Sequence, residues 1–553
     1  MTTPRPKGFP QSGAQGKSHA VFTLPAPALG LDTVSPLAEM NPLCAVQMDN
    51  VLSTDGGCRV RSGWKEFAIN IPGDTIKTVF SWSGAPLNAV SPPFATSQLF
   101  AATDLGIFNI TAGGDFAGAT PDVDLEDILN AGRLSKVMFN TGFSNYLVVC
   151  SEIGGAWLYD GTTWTKFTQT ATPTQPGEIS GVNPDDFTFV MAWKERLWFI
   201  NSNSTEAWYL PVQSAGGEGE YVDFGPSFVT GGQLLALVSW TQDAGKGLDD
   251  HLVVLSSAGD MAVFQGTDPS DVTQFGMVGS WYIGQPPIGR RFFSETGGMV
   301  YILTEKGMLA AGAIVQGGIQ TMETAQSPQI QGLRRIQNAL RNDFATLLTT
   351  IGWEVFSVRE QILIARPQTS VAGFTQYLFV NNTNAWSILR DIPAITWGFW
   401  LDEVYGGTDD GRVLEIFTGN TDGVALDGSG GTEIRARVAP AFSYLGDPAD
   451  IKHAVMVKAQ FLAVAPPPYE IFMLADYAVS GISSSPIGVT VNTPLWDQAL
   501  WDQNLWAGGL TAFADWRSVG ALGRAMTPSV YLASSNRTLL ISISLMFKTG
   551  GVL

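Results

Sequence analysis

The residues closest to a nucleotide-binding pattern are Gly13 to Ser18, GAQGKS. They resemble the end of a phosphate-binding loop, in which backbone N–H groups and a lysine cradle phosphates. The glycine needed five positions before Gly16 is Gln11, however, and Pro10 disturbs the strand that should lead in. His19, His251 and His453 are scattered, with no HxxxH or HExxH spacing and no cysteine pair beside them, so zinc finds no ligand set. Asp409-Asp410-Gly411 and the acids from Asp422 to Asp427 carry oxygens that suit a hard cation, but lack the alternating ligands and closing glutamate of an EF-hand. Turn chemistry accounts for them. No GxSxG elbow occurs. Carboxylate pairs for glycoside cleavage are set by folding rather than by spacing, so that class stays open. No catalytic, cofactor-binding or metal-ligating residue is assigned, and no cofactor is expected.

Two groups point to interaction instead. LWDQALWDQNLWAGG sets Trp496, Trp501 and Trp506 at a period of five, with Asp497 and Asp502 between them. Five fits neither a strand nor a helix stripe, so the expectation is a turn-rich loop whose tryptophans anchor it to a neighbouring surface, within the chain or across a subunit boundary. A sugar-stacking site would use the same residues. The second group lies in SPQIQGLRRIQNALRNDF, where Ile330, Leu333, Ile336, Leu340 and Phe344 recur at spacings of three and four. That is one helical face, with Ser327 as N-cap and Pro328 in the first turn, predicting a helical insertion near 327–345. Arg334, Arg335 and Arg341 fall on the opposite face, either as a solvated face or as a basic cluster for an acidic surface or phosphates.

Composition limits the partners. A net charge of −19 argues against a protein that grips nucleic acid by neutralising phosphates. Such a charge keeps a protein soluble, or, on a conduit wall, would let a duplex slide without sticking. Cys44, Cys58 and Cys150 are odd in number and unclustered, which predicts no disulfide framework and synthesis in a cytosol. The first twenty residues lack an apolar core, and no apolar run approaches the roughly 18 residues of a membrane span, so neither secretion nor insertion is expected.

What must position any site is a recurring β unit. SQLFAATDLGIFNI, NYLVVCSEIGGAWLYDGTTW, ERLWFINSNSTEAWYL, HLVVLSSAGDMAVFQG, MVYILTEKGMLAAGAI, YLFVNNTNAWSIL and VYGGTDDGRVLEIF follow one another between about residues 97 and 423. Each pairs two short apolar runs rich in β-branched and aromatic types around a Gly, Asp or Asn turn, as at Thr103-Asp104-Leu105-Gly106, Ala258-Gly259-Asp260, Glu305-Lys306-Gly307 and Asp409-Asp410-Gly411. One hairpin cannot bury its own apolar face, so the units must stack, and closing the stack into a ring leaves few exposed edges. The predicted fold is all-β: a β-propeller over 76–423 with about six or seven blades, a β-sandwich-like platform over 424–553, and an extended N-terminal arm and hairpin over 1–75 that joins the platform. IRARVAPAF, HAVMVKAQFLAV, YEIFMLADYAV and RTLLISISLMFKTGG are the platform's longer strands.

Four blocks carry a family resemblance: NPLCAVQMDNVLSTDGGCRVRSGW; NNTNAWSILRDIPAITWGFWLDEVYGGTDDGRVLEIFTGNTDG; FSYLGDPADIKHAVMV; and WDQALWDQNLWAGG followed by FADWRSVGALGRAM. In this order they resemble the tail nozzle or tail hub proteins of short-tailed bacteriophages. The strongest parts are the turn at Ala385-Trp386-Ser387 with the Gly407 to Gly411 segment downstream, and the Trp-Asp repeat. The resemblance implies a structural protein of the virion tail, made in the host cytoplasm and assembled as a ring, usually of six copies. The ring would sit below the portal and adaptor proteins, dock tail fibres or spikes, and enclose the channel through which genome DNA leaves without sequence-specific binding. No catalytic residues come with it. Two other classes stand beside it: a carbohydrate-binding or glycoside-cleaving propeller, which the absent repeat of Ser-x-Asp-x-Gly-x-x-Trp disfavours, and a generic intracellular scaffold, which would leave the N-terminal arm and the C-terminal platform unexplained.

Overall fold

A computed structural model describes residues 19–84, 97–243, 248–271, 273–324, 327–368, 373–479 and 510–550. Within them the quoted hairpins belong to seven consecutive blades of a β-propeller. Blade 1 is built from Thr78–Trp82, Gln98–Ala102, Gly106–Asn109 and Val123–Asp124, and blade 2 from Leu134–Asn140, Asn145–Ser151, Ala156–Tyr159 and Trp164–Lys166. Blades 3 and 4 start with Phe187–Trp193 and Leu234–Asp243. Blade 5 has three strands, Phe293–Thr296, Met299–Thr304 and Gly307–Ala310, and blade 6 runs from Glu354–Val358 to Ala385–Arg390.

The ring is closed by a strand from the other end of the sequence. Trp64–Ile69 pairs antiparallel with Val413–Ile416 and completes blade 7 after Thr396–Trp400 and Glu403–Gly407. The propeller therefore starts before residue 76, because an outer strand taken from the beginning of the chain locks the last blade and removes its free edge. First strands of neighbouring blades are tied directly: Ser81 Oγ donates to Phe399 O at 2.9 Å, Leu134 N to Thr78 Oγ1 at 3.0 Å, and Val190 N to Ser135 Oγ at 3.1 Å.

Two expectations change locally. The tail of MVYILTEKGMLAAGAI leaves the sheet at Ala311, where helix α1 (Ala311–Thr324) begins. Ala385-Trp386-Ser387 is strand, not turn; the turn precedes it, with Asn384 at φ 51°.

The insertion after blade 5 is helical, but α2 (Pro328–Arg334) and α3 (Gln337–Leu347) are separate pieces. Pro328 takes the first turn as expected, while the Ser327 hydroxyl makes no capping bond. Leu333, Ile336, Leu340 and Phe344 are buried and Ile330 packs beside them, so the apolar stripe is continuous across the break.

The platform is two antiparallel sheets. One runs Thr511–Gly523, Lys452–Ala463, Thr538–Thr549, and its far edge is covered by Ala20–Pro25 and by the hairpin of Val51–Thr54 and Gly57–Val60. The other runs Tyr469–Ala475, Met526–Ser534, Gly430–Pro440, Ala45–Asp49. Alternation puts Ala454, Val457, Ala459 and Phe461 of the central strand inside. Ala45–Asp49 also meets the last strand of blade 6, and one apolar core runs from the platform into blades 3 to 6. At that junction Arg61 is fully buried and holds Asp422 through two bonds, Nη1 to Oδ1 at 2.7 Å and Nη2 to Oδ2 at 2.6 Å, while donating to Asn50 Oδ1 and Arg390 O.

Candidate functional site

The first strand of each blade faces the ring axis, where loops give way to a cavity of about 310 Å³. Its apolar wall is Phe189, Met191, Phe293 and Phe356, and its charged groups are Lys136, Arg290, Arg291, Glu295 and Glu354. Arg291 closes one end. Its Nη1 donates to Lys77 O at 2.8 Å, Thr396 Oγ1 at 3.2 Å and Glu354 Oε2 at 3.3 Å; its Nη2 donates to Leu134 O at 3.2 Å and to Thr78 Oγ1; its Nε lies 3.7 Å from Glu152 Oε1. A single guanidinium entering blade 5 thus binds blades 1, 2, 6 and 7 across the axis. Arginine suits this position because its planar fork offers five donors in fixed directions. A duplex, whose major groove alone is ~12 Å wide, has no path through such an axis.

Lys136 and Arg290 face the cavity with fewer partners. Lys136 Nζ donates to Val79 O at 2.8 Å, and Arg290 Nη1 donates to Leu235 O at 2.5 Å; neither makes an ion pair within 4 Å among the described residues. Burial lowers both, Lys136 to about 8, with Glu354 pulling the other way and Arg291 adding repulsion, and Arg290 to about 10. The Lys136 side chain is exposed to solvent inside the cavity, so water there screens it and weakens the penalty that the surrounding protein imposes. A lysine lowered from 10.5 is bound to fewer protons in the folded than in the unfolded chain between pH 8 and 10.5, so its unfavourable contribution is present below about 8 and fades as pH rises through that window. Lys136→Met is accordingly expected to melt higher than the parent at pH 7, with the gap closing by pH 10.5. A gap constant with pH would refute this account.

The turn acids are occupied locally. Asp410 accepts from Thr408 Oγ1 at 2.5 Å and is held by Arg412, Asp422 is held by Arg61, and Asp427 Oδ1 accepts from Ser429 N at 2.9 Å. Among the described residues no group of three His, Cys, Asp or Glu side chains is placed to hold a metal ion. Cys44, Cys58 and Cys150 are free and buried, and burial raises all three thiols, Cys44 to about 11 and Cys58 to about 12.

Of the residues singled out from sequence, Trp496, Trp501 and Trp506 lie outside the described residues. Arg334, Arg335 and Arg341 do not form one basic patch. Arg335 falls in the break between α2 and α3 and turns inward, its Nη1 donating to Leu29 O and Asn384 O, both at 3.0 Å. It pins the N-terminal arm to blade 6. Arg334 is half-buried and Arg341 exposed. The axial cations were missed because they come from different blades; their only local signal is the pair Arg290-Arg291 in an acidic chain.

No family model matches the chain, and no curated protein matches it. Among solved structures it is similar to BBS1N in a complex with ARL6DN, at 11% identity over 65% of this chain and 98% of that one, with a TM-score of 0.36. The Cps50 (Swd1) β-propeller domain of Myceliophteria thermophila gives 10% over 65% and 99%, with 0.33. The computationally designed Ika8 protein gives 11% over 64% and 100%, with 0.34. At these scores the blade topology, not the likeness, defines the fold.

Proposed function

We propose that the chain is a structural subunit of a virion tail, the nozzle or hub ring of a short-tailed bacteriophage below its portal and adaptor. The observation that supports this reading is an axis closed at one end by cohesion: Arg291 ties five blades together at the end of the axial cavity, which leaves no passage through a single propeller. The outward-facing features suit assembly. A 13-residue strand, Thr511–Gly523, forms one edge of the platform, is paired on one side only among the described residues, and exposes Trp516 and Leu522. Such an edge invites a lateral neighbour, and a closed ring would place it against a different patch of the next copy, six copies being the number the resemblance gives. With each propeller axis plugged, genome DNA would pass between copies rather than through one. The net charge of −19 would keep that lumen from holding phosphates. Fibres or spikes would dock outside, and no catalytic role is assigned.

Immunogold electron microscopy of particles, with an antibody against the platform, tests it. Gold beneath one capsid vertex is the expected result. Particles without the chain would overturn the reading.

A further inference from the structure

We infer that the axial cavity, closed at one end by Arg291, binds a small aromatic monocarboxylate whose charge meets Lys136 and Arg290 and whose ring lies against the apolar wall. The space of about 310 Å³ holds on the order of ten waters at ~30 Å³ each, so a ligand of roughly ten non-hydrogen atoms can replace them. Phe189, Phe293 and Phe356 line it from blades 3, 5 and 6, with Met191 beside them. Three phenyl rings and a thioether around one space suit an aromatic guest.

The two cations have donors to spare, and water reaches them. Lys136 is exposed inside the cavity, and its Nζ spends one of three N–H groups on Val79 O at 2.8 Å. Arg290 uses Nη1 alone, on Leu235 O at 2.5 Å and Leu234 O at 3.4 Å. Its Nε and Nη2 have no acceptor among the described residues and are not sealed from solvent. With no carboxylate within 4 Å of either side chain among those residues, an incoming carboxylate would make charge-assisted bonds that water answers less well. The depression of both cations by burial has the same origin, a shortage of nearby negative charge.

The acids of the lining limit the ligand to one charge. Glu354 is taken by Arg291, its Oε2 accepting from Nη1 at 3.3 Å. Glu295 is exposed farther along Phe293–Thr296, with Asp250 as its charged neighbour. These carboxylates repel a second negative charge, and the phenyl rings offer nothing to an inorganic anion, so phosphate fits worse than a monocarboxylate with an apolar body.

The experiment is isothermal titration calorimetry on the full chain at neutral pH with phenylacetate, its neutral counterpart phenylacetamide, and acetate and inorganic phosphate as competitors. Phenylacetate is expected to bind about tenfold tighter than phenylacetamide, the scale of a charge-assisted bond. Acetate and phosphate at equal concentration should not displace it. Lys136→Met, which removes a charge that burial penalises, should bring phenylacetate down to the affinity of the amide while the amide binds as before. The comparison of acid and amide on the parent chain decides the matter even if K136M does not fold. Absent binding, equal binding of acid and amide, displacement by acetate or phosphate, or a folded K136M that keeps the preference for the acid would each overturn the inference. The readout is small-molecule binding alone, so its failure leaves the ring reading untouched.

Discussion

Replacing Arg291 by methionine is expected to destabilise the chain by about 3–5 kcal/mol, the scale of breaking a buried ion pair from one side. The side chain removed is 10% exposed and faces Glu354 and Glu152, whose side chains are 7% and 10% exposed. Without it both carboxylates remain in a site that water enters poorly, and Lys77 O, Leu134 O, Thr78 Oγ1 and Thr396 Oγ1 lose a donor. Urea unfolding followed by tryptophan fluorescence reads the loss. Arg291→Lys should fall between, because an ammonium keeps the charge but cannot reach four blades at once. Adding Glu354→Gln to Arg291→Met should recover part of the loss by removing a stranded charge. An R291M midpoint equal to the parent's would mean that the axis is not held by this residue.

The ring itself was legible because it is made of local units. Each quoted hairpin brings its own turn residues, and Asp409-Asp410-Gly411 shows why they are readable: Gly411 adopts φ 76° and Thr408 and Asp410 bond within the turn. Such chemistry lies within a few residues and needs no tertiary information.

Closure was not legible, since Trp64–Ile69 and Val413–Ile416 are remote in sequence and nothing in WKEFAI names its partner. Thr511–Gly523 was not singled out as a strand because both of its faces are largely exposed, which leaves no alternation of apolar and polar residues to read. The helical stripe from Ile330 to Phe344 was readable as packing, but not its break at Arg335, whose carbonyl accepts from Thr33 N and Oγ1 of the remote N-terminal arm. The axial charges were the least accessible, because Lys136, Arg291 and Glu354 converge only when blades 2, 5 and 6 are in place.

The same reasoning marks the joint between ring, insertion and arm as the other sensitive place, and Trp386→Ala is expected to cost ~3–5 kcal/mol, the usual range for truncating a buried tryptophan. Trp386 is 0% exposed, lies 4.9 Å from the Phe379 ring, and donates from Nε1 to Gly332 O of α2 at 3.0 Å. Its carbonyl accepts from Leu31 N at 2.8 Å, so blade 6, α2 and the N-terminal arm all meet on this residue. The arm approaches closely at Gly30, where φ is 73° and a Cβ would stand 2.6 Å from Trp386 N and O. Gly30→Ala should therefore loosen the same joint without touching the core, through backbone strain and a clash that the strand cannot yield to. Both variants should make the arm near Gly30 sensitive to limited proteolysis, and Trp386→Phe should do so less, because it keeps most of the packing. If W386A loses stability while the arm stays as protected as in the parent, the tryptophan supports blade 6 alone and the arm is held by Arg335 and its pairing with the platform.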